Sequence, residues 1–569
     1  MPEQHHRMKR LALLLLLVFA VASARAQQQD LTHTQILTGR GPFTHDDTLR
    51  GTLGPLRSCY DVTHYDLQLR VDPAAKTIAG NNTITYKTVT PFNTLQIDLF
   101  ETMTIDSVVA DNVRAAWQPL GKRCFTVALP AQKQTGEGGR ITVYYHGKPT
   151  EAPNPPWDGG FVWKQDGAGK PWVGVACEGF GASSWWPLKD HPADEPDSMR
   201  FVLGVPTGLM GVANGTLRSV VTREDGYTDF EWTVGYPINS YNVTVNIADY
   251  AHFAEAYRSD SSSLQLDYYV LRANLAKAKE HFEQVKPMMA CFEKFFGPYP
   301  FPKDGFALVE TSYWGMEHQG AIAYGNNYRN SKWGWDFIIV HESGHEWFGN
   351  SITACDHADM FIHESFTTYM EAVYMECRYG RDKAVEYLKT QRDKIQNVDA
   401  IQAPYGVNYN DWKNADMYYK GTWMLHTLRN VLDNDELWFK ILRGVNRKFF
   451  RSVVCRDQFL KYFSTEAGQD LTPFFSQYLD YLQPPKVQYA LLPKGKKSVV
   501  LQCRLLADRA DLKLPITFVW NDGDVIKKQR ITLTASVQSV TLPAAALQTL
   551  RWDTDSYYVT TERADKRIK

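Results

Sequence analysis

Apolar residues recur with two different periods along this chain. Between Cys59 and His252 they alternate with polar ones: Tyr65, Leu67, Leu69 and Val71, then Ile84 with Tyr86, Ile141 with Val143, and Val243 with Val245. A period of two sends successive side chains to opposite faces of a strand, so the stretch predicts a β domain closed by Gly, Pro, Asn and Asp turns. Near Phe253 the pattern changes to that of helices. Leu275 to Phe296 reads as helical and is stopped by Gly297-Pro298-Tyr299-Pro300. Phe306 to Val309 and Ala321 to Tyr324 read as short strands, and helices follow over Phe361 to Tyr374, Lys383 to Gln396, Gly421 to Leu432, Arg456 to Glu466 and Leu471 to Tyr481. After Gln483-Pro484-Pro485 the alternation returns in Val499 to Leu501, Ile516 to Trp520, Arg530 to Leu533 and Ser536 to Leu542. The predicted fold class is multidomain α+β: an N-terminal β domain over 51–252, a mainly helical domain over 253–483 and a small C-terminal β-sandwich over 486–569. Residues 27–50, polar and rich in Gln and Thr, read as a flexible lead.

At 569 residues the chain exceeds what one core supports, and its 44% hydrophobic and 22% charged residues are those of an ordinary globular protein. The first 26 residues stand apart. A basic leader (His5 to Arg10), an apolar run (Leu11 to Ala22) and Ala24-Arg25-Ala26 before Gln27 have the form of a secretory signal peptide, and the apolar run is too short to span a bilayer. The expected location is therefore outside the cytoplasm, periplasmic or secreted from a Gram-negative bacterium. Cleavage removes one acid (Glu3) and four bases (Arg7, Lys9, Arg10, Arg25), so the formal charge moves from −1 to −4. No basic run argues for nucleic acid or an anionic membrane. Eight cysteines are scattered without zinc-knuckle spacing; in an oxidising compartment some are expected to pair, in combinations the sequence leaves open.

The candidate chemistry lies in His341-Glu342-Ser343-Gly344-His345. Residues four apart stand one above the other on a helix, so His341 and His345 can offer two imidazoles to one metal ion. Glu342 projects from the adjoining face, placed to act on water rather than to bind metal. Glu364, in the next helix-like run, is the expected third ligand. Two histidines and a carboxylate leave a fourth position open, as in a catalytic rather than a structural zinc site. Upstream, Trp172 to Pro187 packs four Trp or Phe residues and three Gly around Cys177-Glu178, a segment that by itself reads as an aromatic-braced turn.

Together these residues resemble the M1 aminopeptidases, zinc enzymes of the gluzincin class that include aminopeptidase N and leukotriene A4 hydrolase. The likeness rests on His341-Glu342-x-x-His345, the eighteen-residue gap to Glu364, Trp314-Gly315-Met316-Glu317-His318 before the motif and Tyr418-x-Lys420-Gly421 after it. It implies a saddle-shaped N-terminal β domain, a thermolysin-like catalytic domain and the β-sandwich. It also implies one zinc per chain on His341, His345 and Glu364, with Glu342 as general base and Tyr418 steadying the oxyanion. Glu317, Gly315 and, from the aromatic loop, Glu178 would bind substrate, the two carboxylates holding the free amino group of a peptide.

The sequence departs from the family pattern in places. Trp314 and His318 stand where G-x-M-E-N has its first Gly and its Asn, and Phe361-Ile362-His363-Glu364-Ser365 replaces W-x-N-E-G. The large C-terminal helical domain of many members is missing, from which a more open cleft, with access for longer peptides, is expected if nothing else covers it. Alternative readings are a zinc endopeptidase with an open cleft, an epoxide hydrolase, and a secreted peptide-binding or zinc-scavenging protein; Glu342 and Tyr418 speak against the last, since binding requires neither.

Overall fold

The computed structural model describes residues 42–259, 263–408 and 414–568. The leader over 1–26 and most of the 27–50 segment lie outside the described residues. The part of that segment inside them is not a loose lead: Thr44 caps a helix, His45–Gly51, through a capping box with Asp47. Seven residues make only a marginal helix on their own. Tertiary contacts hold this one, because Arg50 is 1% exposed and Gly51 presses on the backbone of Val407 and Asn408.

Alternation of buried and exposed residues builds the N-terminal sheet. Its eight strands run in the spatial order Thr216–Thr222, Tyr227–Val234, Ser198–Pro206, Tyr60–Asp72, Thr77–Thr88, Gly138–Gly147, Met103–Ala110 and Val113–Arg114. Tyr60–Asp72 pairs parallel with Ser198–Pro206 and antiparallel with Thr77–Thr88, and its buried Tyr65, Leu67, Leu69 and Val71 face the core. Two smaller sheets close that core over Trp185 and Trp186, both fully buried.

Strand structure continues past the point where the sequence pattern predicts helices. Tyr250–Arg258 and Ser263–Leu271 open a five-stranded sheet completed by Phe306–Glu310, Ile322–Tyr324 and Gly315–Met316. Leu264, Leu266, Tyr268 and Val270 pack beneath the helices while Tyr269 and Leu271 pack on the N-terminal core. The strand alternates over Ser263 to Tyr268, and only its second half, Tyr268 to Leu271, is covered on both faces and loses the polar alternation. Gly315–Met316 is the edge strand, paired with Ile322–Tyr324, and it delivers Glu317 to the foot of the motif helix.

The helical region lies on this sheet. Disulfides Cys291–Cys377 and Cys355–Cys455 tie the helices Val285–Phe296 and Phe361–Tyr379 together and join the loop after Ile352–Ala354 to that after Ser452–Val454; Cys59, Cys124, Cys177 and Cys503 are free and buried. One apolar core runs from these helices into a C-terminal sandwich of a four-stranded and a three-stranded sheet. Among the described residues no helix is long and apolar enough to cross a membrane.

Candidate metal centre and substrate site

Asp336 starts the motif helix, Phe337–Gly344, by accepting the Ile338 N–H at 3.0 Å; Tyr324, Asn326 and His281 hold its carboxylate. Ile338, Ile339 and Val340 are buried, which fixes the rotation of the helix and aims His341, Glu342 and His345 at one point. Beyond His345 the chain leaves helical geometry at Phe348 and Gly349. That kink returns the Phe348 carbonyl to within 3.0 Å of His345 Nδ1. Gly349 has a φ of +132°, and a Cβ there would lie 3.1 Å from His345 Nδ1 and 3.3 Å from Glu317 Oε1, so only glycine fits without strain.

The helix Phe361–Tyr379 brings Glu364 to the two histidines. The His341 and His345 Nε2 atoms are 3.3 Å apart, and each is 3.6 Å from Glu364 Oε2. A tetrahedral ion bound at about 2.0–2.1 Å separates its ligand atoms by roughly 3.3–3.4 Å. The spacing therefore matches one zinc-sized ion. Glu364 Oε2 is buried without a hydrogen-bond partner, as a metal ligand would be before its ion is added. Each histidine also turns its other nitrogen to an acceptor: His341 Nδ1 lies 2.6 Å from Glu371 Oε1, and His345 Nδ1 faces the Phe348 carbonyl. With the protons on Nδ1, both Nε2 lone pairs face the common point. The residues fit the metal.

Four carboxylates converge here. Oxygens of Glu178, Glu317 and Glu364 lie within 4.8 Å of one another, and Glu342 adjoins them through a second such group with Glu317 and His345. Burial lifts the Glu342 carboxyl to about 8, with Glu364 and Glu371 adding to the shift and His341 opposing it. Burial also pushes Glu178 and Glu317 well above the usual carboxylate range, helped by their neighbours' charges. So much buried acid calls for cations. Gly315 makes room for Glu342, since a Cβ there would lie 2.5 Å from Glu342 Oε1.

Tyr418 lies inside the helix Asp416–Leu432 rather than ahead of it, and its ring centre is 6.2 Å from that of His341. Burial and the surrounding carboxylates raise its hydroxyl well above the usual phenol range, so it stays protonated. The rest of Tyr418-x-Lys420-Gly421 serves packing. Lys420 Nζ donates to the carbonyls of Tyr481 and Leu482 at 2.7 and 2.8 Å, and a Cβ on Gly421 would meet Ser365 Oγ at 1.9 Å.

The recess is lined by Glu178, Glu317, His341, Glu342, Glu364 and Tyr418, with Pro156, Trp157, Trp314, Gly315 and Met316 around them. Trp157, from the N-terminal domain, stands with its ring centre 6.4 Å from that of Trp314, and Trp314 stacks on Phe337 at 5.5 Å. His318 is fully buried and held neutral, its pKa pushed down to about 3.

Sequence reasoning missed Glu371, Tyr241 and Trp157. Glu371 had a signal, standing two helical turns beyond Glu364 on the same face. Its second oxygen accepts from Tyr387 and from Gln391 Nε2. Tyr241 and Trp157 come from distant segments and carry no local signal.

The chain is similar to known proteins over most of its length. The family description "Peptidase M1 N-terminal domain" matches residues 62–241, and "Peptidase family M1 domain" matches 280–478, together about two thirds of the chain. Endoplasmic reticulum aminopeptidase 1 of Rattus norvegicus is 24% identical over 52% of this chain and 33% of its own length. Aminopeptidase N of Lactobacillus helveticus is 25% identical over 66% and 45%, and aminopeptidase B of Mus musculus 22% over 73% and 68%. The chain thus spans about a third of the length of the first of these relatives. An M1 zinc metallopeptidase from Deinococcus radiodurans shares the fold with a TM-score of 0.64 at 22% identity, over 74% of this chain and 94% of that one. A mutant of it bound to a Tyr-Ser-Ala substrate gives 0.65 at 20%, over the same shares of the two chains.

Proposed function

The chain belongs to peptidase family M1, and from that premise we propose that it is a zinc-dependent aminopeptidase that removes the N-terminal residue of peptides. One observation carries the reading: the Glu178 and Glu317 carboxylates stand beside the three candidate metal ligands, with oxygens within 4.8 Å of a Glu364 oxygen. A substrate ammonium at that point lies next to the bond to be cut. An acylated terminus brings no cation and would leave two buried carboxylates unpaired, which is costly. The relatives named as aminopeptidases support the same activity.

His341, His345 and Glu364 would hold the zinc. When bound, zinc polarises water and the scissile carbonyl. Glu342 takes the proton of the attacking water and hands it to the leaving amine. Tyr418 donates its hydroxyl proton as a hydrogen bond to the carbonyl oxygen as negative charge develops there. Glu178 and Glu317 fix the amino terminus, which places the first peptide bond, and no later one, over Glu342. Trp157 and Trp314 narrow the recess and so disfavour an endopeptidase, whose substrate must run through on both sides.

The test supplies zinc-loaded protein with one peptide in free and N-acetylated forms and reads the products by mass. Stepwise loss of single N-terminal residues from the free form alone is expected. Internal cuts in both forms would contradict the reading. We propose export as well, on the leader before Gln27 and on the two disulfides, which suit an oxidising compartment. The N-terminal sequence of the protein recovered from the periplasm or medium is expected to begin at Gln27.

A further inference from the structure

Glu317 is held by a chain of hydrogen bonds that crosses the boundary between the β domain and the helices. Asn239 caps the short turn Ser240–Asn242, which presents Tyr241 from the N-terminal domain toward the metal ligands. The Tyr241 hydroxyl donates to Glu317 Oε1 and lies 3.2 Å from His363 Nδ1. His363 Nε2 accepts the Ala354 N–H at 2.8 Å. That acceptor role leaves the imidazole proton on Nδ1, so Nδ1–H points at the Tyr241 oxygen. The phenol has a single proton, and with its oxygen already accepting from His363 that proton goes to Glu317.

The backbone around the pair is arranged to the same end. Asn350 Nδ2 donates to the Glu317 carbonyl at 3.0 Å, and Asn239 Nδ2 donates to the Gly349 carbonyl at 3.0 Å. The absence of a side chain on Gly349 leaves room for Glu317 Oε1. Glu317 Oε2, in contrast, lies 3.3 Å from His345 Nε2, on the side of the metal ligands. The two oxygens of one carboxylate therefore have separate duties.

We propose that Tyr241, oriented by His363, is a positioning residue that locks Glu317 Oε1 so that Oε2 alone is presented to the substrate ammonium. His363 fills the position of the Asn in W-x-N-E-G, and in this chain its work is to keep the phenol proton aimed at Glu317. Glu317 would otherwise turn toward the metal ligands with either oxygen. The proposal rests on the aminopeptidase reading above.

The experiment measures inhibition of the zinc-loaded full chain by alanine hydroxamate and by propionohydroxamate, its counterpart without the amino group. Both compounds carry the same metal-binding end, so their ratio isolates recognition of the ammonium. Wild type is expected to favour the amino compound strongly. Tyr241→Phe is expected to weaken the amino compound by about ten-fold or more while moving the other by less than about two-fold. His363→Leu is expected to give the same one-sided loss at about three-fold, and His363→Asn, which keeps a donor, to restore part of it. Equal weakening of both compounds, or of neither, in Tyr241→Phe and His363→Leu overturns the proposal while leaving the aminopeptidase reading in place. Equal binding of both compounds by wild type overturns the amine anchor itself, and the proposal with it.

Discussion

The candidate metal ligands and the carboxylates proposed to bind the substrate amine share one recess but come from the chain in opposite ways. His341, His345, Glu364 and Glu371 stand on two neighbouring helical segments, and the helix repeat alone sets most of their geometry. Glu178 comes from an aromatic loop of the β domain, Glu317 from the end of an edge strand, and Tyr241 from a turn 122 positions before its partner His363. The first group forms wherever its two helices pack. The second exists only when the β domain and the helical region are docked. On the proposed reading, bond cleavage is thus a property of local structure, and choice of the chain terminus a property of assembly.

The comparison is broken most severely at the metal. His345→Ala is expected to lose the ion and drop turnover to the uncatalysed background, at least about a million-fold, checked by metal content and peptide assay. A variant that stayed active with another residue at 345 would show that the ligands are misassigned. Glu342→Gln separates chemistry from metal binding: zinc stays near one per chain while kcat falls by about two to four powers of ten. Glu371→Gln should leave the fold intact but weaken zinc retention in a chelator competition by about ten- to a hundred-fold, because a neutral amide replaces the carboxylate that faces His341 Nδ1 and raises the basicity of the imidazole. The smallest effect is expected from Gly421→Ala. Its Cβ would push Ser365 Oγ off the Met417 carbonyl, costing about 1–3 kcal/mol in denaturant unfolding and displacing Tyr418.

The same contrast explains what the sequence disclosed. His341, Glu342, His345 and Glu364 are legible because a helix converts spacing into position, and the alternation in Tyr60–Asp72 is legible because Asp66, Gln68 and Arg70 lie on a partly exposed face opposite the buried Tyr65, Leu67, Leu69 and Val71. Ser263–Leu271 alternates only as far as Tyr268; the run Tyr268 to Leu271, buried on both faces, carries no period of two, so the stretch reads as the start of a helical region. The helix His45–Gly51 was read as flexible because what holds it, Arg50 donating to the Phe180 carbonyl and the Asn408 N–H donating to the Asp47 carbonyl, joins it to segments more than a hundred residues away. Glu317 and Glu178 were placed only by resemblance to a family. Nothing in their own neighbourhoods shows that the two carboxylates meet, and Tyr241 and Trp157 had no resemblance to place them.

The division between cleavage and terminus selection is tested most directly by Glu317→Gln, with zinc content and kcat/KM for a free and an N-acetylated peptide measured beside wild type. The account requires zinc to remain near one per chain while the preference for the free terminus collapses by at least about a hundred-fold, the scale set by loss of a buried charged partner. An undiminished preference, or loss of zinc together with activity, would contradict it.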